Sequence, residues 1–221
     1  MKTNTKVALA TTGGLILVVI AVIVVLLAQA QQSRPTAESD PMTGIASATR
    51  GGSHILDNAG DGAVTVVEFL DFECEACAAA YPVVEELRQE FSGQVTFVLR
   101  YFPLPGHFNS TNAAVAVEAA AQQGELEAMY KQMFATQSEW GEAQQSQAPL
   151  FRKFAEDLGL DLAQYDAAVA DPATTARVES DFKDGVALGV NSTPTFFVND
   201  QIVELRSFGD LRTAIDAELS R

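Results

Sequence analysis

Of 221 residues only two are cysteine, two histidine and one tryptophan. Two cysteines exclude a multi-disulfide scaffold and a four-cysteine zinc site alike. Positive charge is also scarce: 14 Lys and Arg stand against 29 Asp and Glu, a formal net charge of -15. The shortage is sharper beyond residue 28. Only Lys2 and Lys6 come earlier and no acid occurs before Glu38, so 12 bases face 29 acids from Gln29 onward, a net of -17. Nucleic-acid binding requires bases that neutralise phosphates, and this balance argues against it. It equally disfavours peripheral adhesion to anionic lipid. No internal repeat is present. What the chain does have is apolar content, 48% of its residues, which excludes global disorder and supports a sizeable core.

The longest uncharged stretch lies at the start. Val7 to Ala28 is 22 residues without a charge, which as a helix would span ~33 Å and cross a bilayer core. Lys2 and Lys6 flank it on the N-terminal side. The positive-inside rule therefore puts residues 1–6 in the cytoplasm, 7–28 in the membrane as a single-pass signal anchor, and the rest outside. The alternative is secretion after cleavage near Ala30, because Ala28-Gln29-Ala30 has the small-x-small form of a processing site. The run exceeds the ~7–15 residues of a cleaved core, which favours the retained anchor. Both readings export the remainder. Residues 29–54, rich in Gln, Ser, Thr, Pro and Gly and without apolar periodicity, are expected to form a flexible linker ahead of a folded domain over 55–221.

In that domain Val64–Leu70 is a β-rich apolar run suited to a strand covered on both faces. Cys74–Phe91 repeats apolar residues at helical spacing, and Val95–Tyr101 is a second strand. Helical stretches then dominate for about eighty residues, an insertion over about 109–188. Asp171-Pro172 is an N-cap followed by a first-turn proline, and Gly189 stands where a C-terminal glycine belongs. Thr195–Val198 and Gln201–Val203 flank Asn199-Asp200 as a hairpin. A last helix opens on Ser207 and Asp210 as a capping box. Trp140, alone in a polar stretch, is expected to be a packing anchor. The order β-α-β, helices, β-β-α describes an α/β fold with a helical insertion.

Chemistry concentrates at Asp71-Phe-Glu-Cys74-Glu-Ala-Cys77. Cysteines at i and i+3 at a helix start share a face and can close a disulfide. The free N–H groups of the first turn favour the Cys74 thiolate, making it a nucleophile and a good leaving group, with Cys77 as the resolving thiol. Three plainer readings compete. A structural disulfide closing four residues gains only ~1.9 kcal/mol, against ~3 for fifteen. A zinc half-site would need two further ligands, and His54 and His107 have no metal-motif spacing. Free structural thiols fit poorly with an oxidising compartment.

Around this pair the chain resembles the exported DsbA-like thiol–disulfide oxidoreductases of the thioredoxin superfamily. Val66-Val-Glu-Phe-Leu-Asp-Phe-Glu-Cys74 resembles the strand entering the active site, with Glu68 six residues before the first cysteine. Pro82 falls where members kink the active-site helix. Tyr101-Phe-Pro-Leu-Pro-Gly-His107 resembles the approach to the insertion, and Gly189-Val-Asn-Ser-Thr-Pro194-Thr-Phe-Phe-Val resembles the loop with a cis-proline opposite the cysteines. The resemblance implies a thioredoxin-like fold with an inserted helical subdomain. Cys74, Cys77 and Glu68 would be catalytic, Glu68 handling the proton of the buried Cys77. Thr193 and Pro194 would bind substrate, the Thr193 backbone receiving an extended strand. Read by itself, Glu68 could be an edge-strand acid facing water, and His107 is expected to be a surface histidine.

The resemblance also implies partners: exported proteins with cysteine pairs as substrates and a quinone-linked membrane reoxidase, with no cofactor beyond the redox-active Cys74–Cys77 disulfide and no metal. The rivals are a reductase or isomerase on the same fold, a non-enzymatic tethered binding or chaperone module, and metal delivery, which the lack of nearby His or Met ligands weakens. Strong oxidants of the family often carry a His between the cysteines, whereas Glu75-Ala76 stands here, with Glu73 just outside. These acids would oppose the thiolate about as strongly as the helix terminus favours it. From Asp57 to Glu90 nine acids face a single base, Arg88, so the acidity is expected to tune Cys74 and select partners that are not strongly acidic.

Overall fold

A computed structural model describes residues 47–221. The proposed anchor at 7–28 and the linker as far as residue 46 lie outside the described residues. Among the described residues no helix is long and apolar enough to cross a membrane.

The domain is built on a five-stranded sheet of β1 (His54–Asp57), β2 (Val64–Leu70), β3 (Val95–Tyr101), β4 (Thr195–Val198) and β5 (Gln201–Ile202), in the order β1-β3-β2-β4-β5. β2 runs parallel to β3 and antiparallel to β4, so it is central. That position explains its continuous Val/Phe/Leu run, because both faces must be apolar. The parallel pair is joined through α1 (Glu75–Glu90). Between β3 and β4 the chain forms α2 (Ser110–Ala121), α3 (Leu126–Trp140), α4 (Ala148–Asp157), α5 (Leu162–Ala170) and α6 (Pro172–Ala187), which is the expected insertion. α7 (Gly209–Leu219) closes the unit.

Alternation along the strands sorts the core into faces. Val66 of β2 and Phe97 of β3 join Ala80, Val84 and Leu87 of α1 and Leu211 and Ile215 of α7. Leu70, Leu99, Tyr101 and Cys77 pack into a second cluster with the inserted helices, where Trp140 is fully buried edge-on to Phe151. The opposite face carries Val67, Phe69, Val98 and Phe197, covered by Phe182 and Leu188 near the end of α6.

Local signals have visible causes. The Asp171 carboxylate accepts the Ala173 N–H ahead of Pro172, and Gly189 ends α6 at φ 89°, a region open to glycine. Asn199 and Asp200 both take positive φ, as a two-residue hairpin turn requires. The capping box is half formed: Asp210 Oδ2 accepts the N–H groups of Arg206 and Ser207, while the Ser207 hydroxyl donates to that carboxylate instead of capping the helix.

Two features differ from the sequence expectation. β1 was not anticipated; it pairs antiparallel with β3 across a register irregularity between Ile55 and Asp57, which breaks its alternation. Packing also reaches back to Ala48, inside the stretch assigned to the linker. Ala48 is fully buried against the sheet, its N–H donating to Asp200 Oδ1 and its carbonyl accepting from Arg100 Nη1 at 2.7 Å. Arg100 is itself fully buried, donates through Nε to Asp181 Oδ1 at 2.6 Å and also pairs with Asp184. Arg50 pairs with the same two acids.

Candidate active site

β2 ends at Leu70 and the chain turns through Asp71, Phe72 and Glu73 into α1. Cys74 is the N-cap of α1, in extended backbone (φ -74°, ψ 122°) without a side-chain cap of its own. Its sulfur therefore lies where first-turn N–H groups have no helical acceptor. Cys77 is one turn on and fully buried, while Cys74 keeps 7% exposure. Both stand as free thiols. The Cys74 thiol donates to the Thr193 carbonyl at 3.5 Å, and the Thr193–Pro194 peptide beside it is cis. The fold thus brings Cys74, Cys77, Thr193 and Pro194 together from segments more than a hundred residues apart.

The two thiols are driven in opposite directions. The Cys74 pKa is lowered to about 5, first by the hydrogen bond from Cys77, against the opposing effect of burial, then by the Thr193 side chain and the backbone N–H groups of Cys77 and Ala76. Ala76 acts through its backbone alone. Among the described residues the Thr193 hydroxyl has no other partner, so its proton is free to turn toward a thiolate. Burial pushes Cys77 well above its usual range, and the hydrogen bond to Cys74 and the charge of Glu68 push the same way. Glu68 is buried in central β2 and so is not an edge acid facing water; desolvation, Glu85 and Cys74 raise it to about 8. A thiol whose thiolate is favoured, a thiol held protonated and a buried acid shifted to about 8 therefore share one site.

The two acids flanking Cys74 are placed differently from each other. Glu73 is almost fully buried: Oε2 accepts the Asn109 N–H at 2.6 Å and its carbonyl accepts from Gln137 Nε2 at 2.8 Å. It ties the active-site turn to the insertion and is not a surface carboxylate opposing the thiolate. Glu75 is exposed and faces Glu142, which it raises by a shared hydrogen bond.

Sequence reasoning missed Asp71 and misplaced His107. Asp71 is 1% exposed, and its Oδ1 accepts the Glu73 N–H at 2.9 Å. Its Oδ2 accepts the Leu104 N–H at 3.0 Å and faces His107 Nδ1 at 2.6 Å. The available signal was an acid at the buried end of an apolar strand, where it needs partners. His54 is engaged by Glu118, so neither histidine is placed with the thiols as a ligand. Among the described residues no group of three or more His, Cys, Asp or Glu converges to hold a metal.

The family model described as Thioredoxin matches residues 59–217. A thioredoxin-like oxidoreductase from Silicibacter pomeroyi DSS-3 is 30% identical, with 80% of this chain and 97% of that chain covered and a TM-score of 0.66. BdbD from Bacillus subtilis, 22% identical with 77% and 94% covered and a TM-score of 0.65, shares the fold. Similarity also extends to a curated protein named Na(+)/H(+) antiporter NhaA 1 from Mycobacterium sp. (strain KMS), 37% identical over 144 residues. That match covers 63% of this chain and 22% of the antiporter, so the chain spans about a fifth of the curated relative.

Proposed function

Because this chain belongs to the thioredoxin family, we propose that it is a DsbA-like thiol–disulfide oxidoreductase that works in the oxidising direction, forming disulfides in exported proteins from the outer side of a membrane. The observation that carries this reading is the opposed pair of thiols, Cys74 held near 5 and Cys77 held high. Stabilising one thiolate favours the dithiol, which makes the disulfide a stronger oxidant.

A substrate thiolate attacks Cys74 of the disulfide, and the Cys74–Cys77 bond breaks as a mixed disulfide forms. The electron pair leaves on Cys77, which takes a proton, with Glu68 as the nearby acid. A second substrate thiolate then attacks the substrate sulfur of the mixed disulfide and expels Cys74 as a stabilised leaving group. Thr193 and Pro194 border the reacting sulfur, where an extended substrate strand is offered the Thr193 carbonyl. A membrane reoxidase, quinone-linked by family resemblance, withdraws two electrons and restores the disulfide. No metal or organic cofactor enters these steps. The uncharged stretch at 7–28 and the similarity to part of an antiporter both support a membrane setting.

The deciding measurement is the reduction potential of the pair together with its redox state in cells, read by thiol alkylation. An oxidase is expected well above thioredoxin's ~-270 mV, toward the ~-120 mV of strong oxidants, and mainly disulfide in cells. A potential near thioredoxin's with a mainly reduced pair would replace this reading with a reductase or isomerase. A cellular function left intact by Cys74→Ser would replace it with a binding module, whereas loss of dithiol oxidation in that variant with folding unchanged would reject that rival.

A further inference from the structure

The active-site turn from Glu68 to Cys77 carries four acids and no base, yet it ends in a stabilised thiolate. The base the structure brings to it comes from another loop. Leu104-Pro-Gly-His107 is a turn closed by the His107 N–H on the Leu104 carbonyl at 3.0 Å. The Ser110 hydroxyl holds both of its ends, donating to the carbonyls of Leu104 and His107. The Asp71 carboxylate grips this turn twice, at the Leu104 N–H and at His107 Nδ1. The same residue holds the cysteine turn, since its carbonyl accepts the Cys74 N–H at 3.2 Å and its N–H approaches Cys77 Sγ at 3.5 Å. One buried residue thus fixes an imidazole and both cysteines in a single frame.

We propose that His107, oriented by Asp71, is a positioning residue that supplies the counter-charge to the Cys74 thiolate, so that reduction of the disulfide is coupled to proton binding at His107. This rests on the oxidoreductase reading above and concerns how that site is tuned. With Nδ1 committed to Asp71, the second proton of an imidazolium sits on Nε2. The groups whose charge acts on the ring are Asp71, Glu73 and Cys74 from the cysteine turn, and Glu142 from the loop after α3. Glu73 and Glu142 line a cavity of about 170 Å³ with Gly106, His107, Phe108 and Gln144. Burial works against the imidazolium, but Asp71, Cys74 and Glu73 together raise His107 above its usual value.

The coupling follows from charge balance. A substrate dithiol gives up two electrons and two protons as its own disulfide forms. The enzyme S–S bond breaks, one proton ends on Cys77, and Cys74 remains a thiolate whose new charge draws a compensating share of the second proton onto His107. Oxidation removes that charge and releases the share. By reciprocity, whatever the thiolate does to the histidine the imidazolium does to the thiolate.

The test uses the full chain and His107→Gln, with His107→Arg restoring a fixed positive charge. In His107→Gln the thiolate absorbance titration of Cys74 is expected to move up by about half a unit to one unit. Its equilibrium with glutathione should shift about three- to tenfold toward the disulfide, and His107→Arg should restore most of both. In the unaltered protein, NMR titration of His107 should give a higher midpoint in the reduced than in the oxidised form, a readout that requires no variant to fold. Equal midpoints in the two forms, or an unchanged Cys74 titration in His107→Gln, would overturn the coupling. None of these readouts depends on the direction of electron flow, so a failed oxidase reading would leave them intact.

Discussion

Glu68 enters the fold as an acid that prefers to stay protonated. Its carboxyl titrates near 8 in β2 against an ordinary 4.5. Between those values the native state keeps a proton that the unfolded chain has lost. Its contribution to stability is therefore complete below about pH 4.5 and is lost as pH rises toward 8. Glu68→Gln is expected to stabilise the protein by on the order of 2–4 kcal/mol at pH 8 and by almost nothing at pH 4, read from thermal melts at the two pH values. The same variant should form the mixed disulfide on Cys74 more slowly, since the departing Cys77 loses the buried acid that protonates it. Equal gains at both pH values would locate the effect in packing alone. The dipeptide and Glu73 show where residue-level reading stops. Nothing in Glu-Cys-Glu-Ala-Cys tells that Glu73 turns inward to the Asn109 N–H while Glu75 stays in water, because that choice is made by a helix start more than thirty residues away.

At the scale of elements, the strands β2 and β3, the insertion and the cap of α6 follow from local pattern and were readable. β1 and the Ala48 segment were not, since a four-residue strand with an irregular register and a single buried alanine leave no periodic trace. Gly185 in α6 belongs with them. A Cβ there would meet Phe102 Cδ2 at 2.7 Å and Phe69 Cδ1 at 3.0 Å, so the glycine sets how closely α6 approaches the sheet. Gly185→Ala gains ~0.5–1 kcal/mol of helix propensity but must displace packed rings at ~1–3 kcal/mol. Overpacking wins: the urea midpoint should fall, by about 1–2 kcal/mol of stability, with the denaturant slope unchanged. A rise would mean that Phe102, stacked on Phe182, moves aside freely.

Across the whole molecule the acidity that dominates the sequence is largely answered by distant partners. Arg88 meets Asp57, Glu85 and Glu127, Arg212 meets Glu90, and His107 meets Asp71. Together with the protonating Glu68, these leave far less free charge around the cysteines than the run of nine acids suggests. A linear count cannot see pairs made across elements. The deepest of these pairings is Arg100 with Asp181, both fully shielded from water. Asp181→Asn should cost about 3 kcal/mol, the low end for breaking a buried pair because Asp184 still answers Arg100, and a melt in denaturant measures it. A loss under 1 kcal/mol would show that Asp184 alone suffices.

The seat of Ala48 has a mechanical consequence. Any tug on the polypeptide ahead of Ser47 first meets a residue pinned at its carbonyl by β3 and at its amide by the turn between β4 and β5. Load is thereby handed to the middle of the sheet, on the face carrying α6, while the helix that bears the cysteines packs on the other side. Strain arriving from upstream is grounded before it reaches the reacting sulfurs, and the site can keep its alignment while the body that carries it is pulled about.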